Sequence, residues 1–243
     1  MGAAIGAVLR RRGLDVLWAS EGRSDATRSR AEAAGLTATQ TAAELARRSQ
    51  VILSVCPPHA AAGVARSVGA FEGVFVDANA ISPETSRRIG ATVQRFVDGG
   101  IVGGPPSATD GPRLYLAGAD AARVAELFTG TTVEARVLPG RIGDASALKM
   151  VYAAWTKGSA ALLLTINEVA RHEGVADDLL EEWRDSIPEL ERRLASAERS
   201  AGAKGWRWVA EMEEIAATFG AAGAPSGFHE AAADVFRRYE RMF

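Results

Sequence analysis

Short runs of branched apolar residues recur through the first part of the chain, and each is followed by a segment of helical composition. The clearest run covers residues 51–55 and is halted by Pro57 and Pro58. A strand that is apolar almost throughout is typical of a parallel sheet, in which crossover helices cover both faces. Similar runs occur at residues 15–19, 74–77 and 96–98. The alternation predicts βαβ units and an α/β fold with a Rossmann-like, doubly wound parallel sheet.

The pattern changes after Gly143, where strand-like runs stop and helical spacing takes over. Residues 144–171 contain no glycine or proline except Gly158, and their apolar side chains recur every three to four positions. Shorter helical segments follow, separated by glycine and proline, at residues 177–184, 188–200, 206–219 and from 228 onward. We therefore predict two domains, an α/β domain over residues 1–143 and an all-α domain over residues 144–243.

Charge and cysteine content exclude several classes of protein. The 243 residues include 28 Lys and Arg against 30 Asp and Glu, so the composition gives no sign of a basic surface for nucleic acid. No apolar stretch reaches the roughly 20 residues that a membrane-spanning helix needs. Cys56 is the only cysteine, and with three histidines it forms neither an internal disulfide nor a metal-ligand pattern. We expect a cytoplasmic protein that acts on a small molecule and binds no metal, nucleic acid or membrane.

The chain begins in a helical pattern rather than in a strand. Residues 2–9 have no preceding basic region, so they do not read as a signal peptide. In a doubly wound sheet, a first strand and the motif G-x-G-x-x-G normally precede such a helix, whose N-terminus binds a pyrophosphate. Gly2 matches only the last glycine of that motif. We therefore expect the natural chain to carry a first strand and two further glycines upstream of Met1.

The residues after the run at 15–19 bear on the choice of nucleotide. No acid stands at the immediate end of that run, whereas Arg23, Ser24 and Arg28 follow it and can hold a 2′-phosphate. This pattern predicts NADP, with NAD as the less favoured cofactor. Glu21 is the residue that would favour NAD, and the arginines are also consistent with solvated surface charges.

Several segments resemble, in the same order, the motifs of one family. They are Gly2 with residues 13–16, the strand and proline at residues 51–57, Asp77-Ala78-Asn79-Ala80-Ile81-Ser82-Pro83, Asp98-Gly99-Gly100-Ile101-Val102-Gly103-Gly104, and residues 143–149. The chain resembles the β-hydroxyacid dehydrogenase superfamily, which includes 6-phosphogluconate and 3-hydroxyisobutyrate dehydrogenases. Within that superfamily it resembles the branch with a distinct helical C-terminal domain.

The resemblance implies two sets of site residues and one catalytic residue. Those expected at the cofactor are Gly2, Cys56, Pro57 and Asn79, and those expected at the substrate are Val102, Gly103 and Gly104. The catalytic residue is expected to be Lys149, at the start of the helix that joins the domains. Hydride transfer to a carbonyl carbon leaves an alkoxide that needs a proton, and a lysine ammonium both stabilises that charge and donates the proton.

Two positions depart from the family pattern. Val102 stands where the family has a serine in its substrate loop, and Ala153 stands where an asparagine follows the catalytic lysine. Both family residues usually bind substrate, so we expect a more apolar pocket or polar contacts from elsewhere. Tyr152 and Thr156 share the helix face of Lys149 and are candidate replacements.

These observations predict an NADP-dependent oxidoreductase that transfers a hydride between nicotinamide and a small hydroxy or carbonyl compound. An imine reductase is an alternative within the same class. A cofactor-binding protein without turnover is a second alternative, because the two departures and the incomplete phosphate motif count against catalysis. The resemblance also implies dimerisation through the long helix, and the apolar surplus over residues 147–166 agrees with a homodimer.

Overall fold

Strands and helices alternate through the first of the two units into which the chain divides after Lys149. The computed structural model describes residues 1–239. The strands of the first unit are β1 (Leu17–Ala19), β2 (Thr37–Thr39), β3 (Val51–Ser54), β4 (Val74–Asp77), β5 (Phe96–Val102), β6 (Arg113–Ala117) and β7 (Glu134–Val137). Its helices are α1 (Gly2–Arg11), α2 (Asp25–Ala33), α3 (Ala42–Arg48), α4 (Ala61–Ser67), α5 (Pro83–Gly90) and α6 (Ala121–Glu126), with a 3₁₀ turn at Pro58–Ala60.

The strands form a parallel pair, β1 with β2, and a five-stranded sheet in the order β3-β4-β5-β6-β7. β3, β4 and β5 are parallel to one another, as are β6 and β7, whereas β5 and β6 are antiparallel. The antiparallel step follows from the short loop of residues 103–112, because a parallel neighbour would need a crossover element. The Rossmann-like class is confirmed, although the sheet is mixed and β2, β6 and β7 lie outside the predicted strand runs.

β4 lies between β3 and β5 in the five-stranded sheet, and all four of its residues are buried. Val74 and Val76 pack with residues of α1 and α6 on one face of the sheet, whereas Phe75 packs with residues of α3, α4 and α5 on the other. Each such side chain stabilises the fold by about 1.5–3 kcal/mol. In β3, by contrast, Val51 and Leu53 are only half-buried, so the burial on both faces predicted for that strand is found in β4.

Helix α5 begins as its sequence predicts. Ser82 is the N-cap residue, and its hydroxyl accepts a hydrogen bond from the Thr85 N–H at 3.3 Å. Pro83 occupies the first helical position, where its missing N–H costs nothing. The segment between β4 and α5 is thereby fixed at both ends, which holds the residues that follow Asp77 in place.

Helices alone make up the described part of the second unit, residues 150–239. α7 (Asp144–Glu173) begins in the first unit, and it is followed by α8 (Ala176–Ser186), α9 (Glu189–Lys204), α10 (Trp208–Ala221) and α11 (Gly227–Arg237), with a 3₁₀ turn at Gly205–Arg207. Met212, Ile215 and Phe236 are fully buried, and Trp208 packs edge-on against Phe236 with 4.9 Å between ring centroids. Among the described residues, no helix is long and apolar enough to cross a membrane, and no cluster of His, Cys, Asp or Glu could hold a metal ion.

Candidate functional site

Two buried carboxyl groups lie next to each other where β4 ends. Asp77 is the last residue of β4, and Asp98 stands opposite it in β5. Both residues are at most 1% exposed. This is the edge at which an open α/β sheet binds its ligands, because the carboxyl ends of the parallel strands meet there.

Asp98 holds the N-terminus of α7. Its Oδ2 accepts hydrogen bonds from the backbone N–H groups of Gly143, Ala145 and Ser146 at 2.9, 2.9 and 3.0 Å. Its Oδ1 accepts hydrogen bonds from the hydroxyls of Ser146 at 2.5 Å and Ser86 at 2.8 Å. The first N–H groups of a helix have no partner within the helix, and a carboxylate there also interacts favourably with the helix dipole. Asp98 therefore fixes where α7 begins relative to β5.

Lys149 lies in the second turn of α7, against Gly100 of β5. A Cβ atom added to Gly100 would lie 3.1 Å from the Lys149 Cβ and 2.6 Å from the Ala145 carbonyl oxygen. A glycine is needed here because only a residue without a Cβ lets the two backbones approach this closely. The close approach brings the predicted catalytic lysine to the ligand-binding edge of the sheet.

Asn79 joins the ends of β3 and β4. Its Oδ1 accepts a hydrogen bond from the Cys56 N–H at 2.5 Å, and its Nδ2 donates one to the Ser54 hydroxyl at 3.0 Å. Asn79 is buried, so both ends of its amide are occupied within the protein. Asn79 therefore holds the backbone of Cys56 in place through its side chain. Pro57, the next residue, is exposed.

Burial changes the titration of two groups beside Asn79. Asp77 accepts a hydrogen bond from the Asn79 N–H at 3.0 Å, and its Oδ2 has no partner among the described residues. Burial raises the pKa of this carboxyl to about 6, and the neighbouring Asp98 adds to the rise. Burial also raises the pKa of the Cys56 thiol, an effect that the Arg23 guanidinium partly opposes. Cys56 is therefore a neutral thiol near pH 7 rather than a reactive thiolate.

The residues predicted to hold a 2′-phosphate lie together at the start of α2. Ser24 is the N-cap residue of α2, and the Arg28 Nε donates a hydrogen bond to the Arg23 carbonyl at 3.3 Å. All three side chains are exposed. The Arg23 guanidinium lowers the pKa of the Cys56 thiol, against the larger effect of burial. Exposed guanidinium groups beside a helix N-terminus have the chemistry that binds phosphate.

The N-terminus of α1 also lies beside the end of β3. A Cβ atom added to Gly2 would lie 3.7 Å from the Val55 Cβ and 3.8 Å from the Val55 carbonyl oxygen. The N–H groups at the start of a helix are donors that a pyrophosphate can accept from. Together with the Arg23 segment and the end of β3, this helix start supplies the donor types that a dinucleotide needs.

The loop of residues 103–112 encloses a pocket of about 310 Å³. Val102, Gly103 and Gly104 all line this pocket; the two glycines are exposed, whereas Val102 is 2% exposed and is also part of the core. Arg113, which pairs with Val102 between β5 and β6, lines the same pocket. Its guanidinium makes no hydrogen bond or ion pair with residues 1–239. The pocket therefore contains a half-buried cation whose donors make no hydrogen bond within residues 1–239.

Tyr152 and Thr156 lie on the part of α7 that belongs to the second unit. Both are exposed, and Ala153 between them is fully buried. The Thr156 hydroxyl donates a hydrogen bond at 3.4 Å to the Tyr152 carbonyl, a contact within its own helix. Neither side chain has a hydrogen-bond partner in another element among the described residues.

Sequence reasoning missed three residues of this arrangement. The signal for Asp98 and Gly100 was an Asp-Gly-Gly run inside a strand, where acids and glycines are unfavourable unless the fold requires them. Arg113 gave no signal, because only the pairing of β5 with β6 brings it beside Val102. Of the predicted residues, Cys56 and Asn79 follow the ends of β3 and β4, and Lys149 lies on α7 beside Gly100 of β5, but the polar groups that hold Cys56 and the start of α7 come from distant parts of the chain.

Comparison with known protein families gives two matches. The model described as the NAD binding domain of 6-phosphogluconate dehydrogenase matches residues 1–129. A domain of unknown function, DUF1932, matches residues 170–239. The two matches divide between the α/β part and the helical part of the chain.

Individual relatives agree with these matches. An uncharacterized 28.5 kDa protein from Methanothermus fervidus is 32% identical to this chain over 166 residues. The match covers 66% of this chain and 64% of the M. fervidus protein, so this chain spans just under two thirds of that protein's length. One solved structure is of a conserved protein of unknown function that is described as similar to 3-hydroxyacid dehydrogenases. It is 29% identical to this chain and superposes with a TM-score of 0.73, and the match covers 97% of this chain and 92% of the other. The 3-hydroxyisobutyrate dehydrogenase of Mycobacterium tuberculosis, solved with L-serine, shares the fold at 17% identity and a TM-score of 0.71, over 98% of this chain and 89% of the other.

Proposed function

Because the chain belongs to the family defined by the NAD-binding domain of 6-phosphogluconate dehydrogenase, we propose that it is an NADP-dependent oxidoreductase. It transfers a hydride between the nicotinamide and a small hydroxy or carbonyl compound. The observation that carries this proposal is the position of Lys149, held against Gly100 at the ligand-binding edge of the sheet. The contact of the Lys149 Cβ with Gly100 of β5 supports a role for this lysine in the reaction.

Lys149 acts as the general acid/base of the reaction. When bound, the nicotinamide supplies or accepts the hydride. During reduction the Lys149 ammonium donates a proton to the carbonyl oxygen, so that an alcohol and a neutral amine result. During oxidation the neutral amine accepts the hydroxyl proton. The positive charge of the ammonium also stabilises the negative charge that develops on the oxygen.

Arg23, Ser24 and Arg28 support NADP as the cofactor. Two guanidinium groups and a hydroxyl complement a 2′-phosphate in charge and in hydrogen-bonding capacity. Glu21 lies in the same exposed segment and is the residue that would bind a ribose hydroxyl of NAD. Residues 21–28 carry two arginines against Glu21 and Asp25, so the net charge of the segment is zero, and it is the grouping of the two guanidinium groups with the Ser24 hydroxyl that favours the phosphorylated nucleotide.

Arg113 supports a substrate that carries an anionic group. Asp110 lines the same pocket, but its carboxylate already accepts a hydrogen bond from the Gly111 N–H at 2.8 Å. The guanidinium is thus the polar side chain of the pocket with unused donors, and guanidinium groups bind carboxylates in bidentate fashion. This observation favours a hydroxy acid or keto acid over a neutral imine.

NADPH oxidation by the purified chain against keto acids, neutral carbonyls and imines tests the proposal, with NADH as the comparison nucleotide. We expect turnover of a keto acid with NADPH. Lys149→Met removes the proton donor, so kcat should fall by about 10²- to 10⁴-fold while the Kd for NADPH stays unchanged. Lys204→Met is the matched control, because Lys204 is exposed in α9 and its loss should leave turnover as it was.

Three outcomes would contradict parts of this proposal. Full turnover by Lys149→Met would remove the lysine from the mechanism. Reduction of imines but not of carbonyls would identify an imine reductase. Tight NADPH binding without turnover of any compound in the panel would identify a cofactor-binding protein rather than an enzyme.

An exposed apolar stripe on α7 supports a homodimer. Val151, Trp155, Leu162 and Val169 are each more than half exposed. Their spacing of four and seven residues places them on one face of the helix. If two copies of α7 pack antiparallel about residue 160, Val151 of each copy lies opposite Val169 of the other, so the stripe is complementary to itself.

Light scattering of the wild type and of Trp155→Glu tests the homodimer. We expect a dimer for the wild type and a monomer for the variant, because a charge at Trp155, the most exposed residue of the stripe, would be desolvated in the interface. Phe228→Glu is the control, since Phe228 is an exposed aromatic residue on α11 outside the stripe. A monomeric wild type would contradict the proposal.

A further inference from the structure

We infer that Asp98 and Gly100 are positioning residues that together place the amino group of Lys149 for proton transfer. The inference rests on the proposed function, since it concerns the residue to which that function assigns the proton. It goes further because it assigns the placement of that residue to two positions of β5, neither of which takes part in the proton transfer itself.

Asp98 and Gly100 act on the same helix from the same side of one strand. They are two residues apart in β5, so they project from the same face. Asp98 binds the start of α7 through three backbone N–H groups. Gly100 meets α7 further along, at the Ala145 carbonyl and the Lys149 Cβ. Contacts at two levels of the helix fix both its position along the strand and its rotation about its own axis.

Asp98 does more than cap a helix. Asp144, the first residue of α7, already stands at the helix start, and its carboxylate accepts a hydrogen bond from the Arg141 N–H at 2.8 Å. A helix that needed only a cap could take it from such a neighbouring residue. Asp98 instead accepts a hydrogen bond from Gly143, which lies 45 positions further along the chain. Asp98 is also fully buried, and a buried carboxylate is unfavourable unless its acceptor sites are used. Four of its five hydrogen bonds go to Gly143, Ala145 and Ser146 at the start of α7.

Gly100 determines the distance between β5 and α7. A Cβ at 2.6 Å from the Ala145 carbonyl oxygen lies well inside the 3.4 Å at which ordinary contact begins. The Ala145 carbonyl oxygen belongs to the backbone, which cannot move aside as a flexible side chain would. An alanine at this position must therefore push α7 and Lys149 away from the strand. A displacement of about 1 Å of a catalytic group can lower a rate by about 10²-fold.

Reductive ¹³C-methylation of the lysines tests the placement without any substrate or cofactor. The lysines of the chain are Lys149, Lys157 and Lys204, so each NMR signal can be assigned with a Lys→Arg variant. Gly100→Ala should shift the Lys149 signal and leave those of Lys157 and Lys204 in place. Gly63→Ala is the matched control in the same unit, because nothing lies within 4 Å of its added Cβ and no lysine signal should move.

Kinetics of the same variants test the consequence for proton transfer. Gly100→Ala and Asp98→Asn should each lower kcat by about 10²-fold, with the Kd for NADPH unchanged. Ser146→Ala removes one hydroxyl donor but keeps the carboxylate, so it should fold even where Asp98→Asn does not, and it should lower kcat less. The inference is overturned if Gly100→Ala leaves the Lys149 signal in place and keeps kcat within twofold of the wild type. This holds whatever happens to the melting temperature. If Lys149→Met is inactive while Gly100→Ala keeps the kcat and the Lys149 signal of the wild type, only this inference fails. If Lys149→Met turns over substrate, the proposed function has failed.

Discussion

The two units of the chain bury their charged groups in different ways. In the first unit Asp77, the last residue of β4, and Asp98, opposite it in β5, have no ion-pair partner among the described residues, and Asp98 is satisfied by neutral N–H and O–H donors. In the second unit Lys157 and Glu211 form an ion pair at 3.0 Å, with 14% and 11% of their side chains exposed. The sheet edge provides fixed backbone dipoles where strands end and helices begin, whereas the interior of a helical bundle offers no free backbone donors. A buried charge between helices therefore depends on a side chain of opposite charge.

Breaking the Lys157–Glu211 pair is the largest change that this comparison predicts. Lys157→Met leaves the Glu211 carboxylate buried without its cation, which should lower the free energy of unfolding by about 3–5 kcal/mol. Replacing both residues by apolar ones, as Lys157→Met with Glu211→Leu, should restore most of that loss, because no charge is then buried. Chemical denaturation followed by circular dichroism measures both effects.

The pair of Arg184 and Glu191 provides the control in the same unit. These side chains are about half exposed, and the Arg184 Nη2 lies 2.9 Å from a Glu191 carboxylate oxygen. Arg184→Met should leave the denaturation midpoint unchanged, since solvent already screens such a pair. A loss in Lys157→Met no larger than that in Arg184→Met would mean that burial of the charge does not distinguish the second unit.

Asp77 gives the next largest effect, and its effect depends on pH. Burial raises the pKa of Asp77 to about 6 in the folded chain, against an ordinary value of 3.8. The folded state therefore keeps a proton that the unfolded state releases near pH 4, so stability falls as the pH rises from about 4 to about 6 and then levels off. A difference of about two pKa units corresponds to about 3 kcal/mol. Asp77→Asn cannot titrate, so its stability relative to the wild type should rise over the same pH range, as measured by urea denaturation between pH 4 and pH 8.

Asp120 is the matched carboxyl with the opposite sign. It pairs with Arg95, whose hydrogen bond lowers the pKa of Asp120 below its ordinary value. Asp120→Asn should therefore lose stability relative to the wild type as the pH rises through the acid range, where Asp77→Asn gains it. Parallel curves for the two variants would contradict the assignment of a raised pKa to Asp77.

The contrast between Asp77 and Asp98 also shows where sequence reasoning reaches its limit. The strand runs at residues 74–77 and 96–98 and the helix from 144 were predictable, because hydrophobic periodicity is a local property. Lys149 was singled out because residues 143–149 resemble the family's motif, which implies a lysine at the start of the long helix, and Lys149 does lie near the start of α7. The donors that satisfy Asp98 come from Ser86 and from residues 143–146, and no local pattern records which donors will reach a given carboxyl. The strands β6 and β7 were missed for a related reason, since their identity depends on pairing with β5 and with each other.

His229 gives the smallest effect, and it sharpens the comparison because its sign is opposite to that of Asp77. The imidazole packs against Phe219 at 4.3 Å between ring centroids, and its Nδ1 has no partner among the described residues. Burial lowers the pKa of His229 below its ordinary value, so as the pH falls below about 6.5 the unfolded state takes up a proton before the folded state does, and stability is lost. His229→Gln should remove this loss. Falling pH strengthens the first unit through Asp77 and weakens the second through His229, so hydrogen exchange should show the helical unit opening more readily at pH 5 than at pH 7. An NMR titration in which the pKa of the His229 imidazole is not below the ordinary histidine value would remove the basis for this difference.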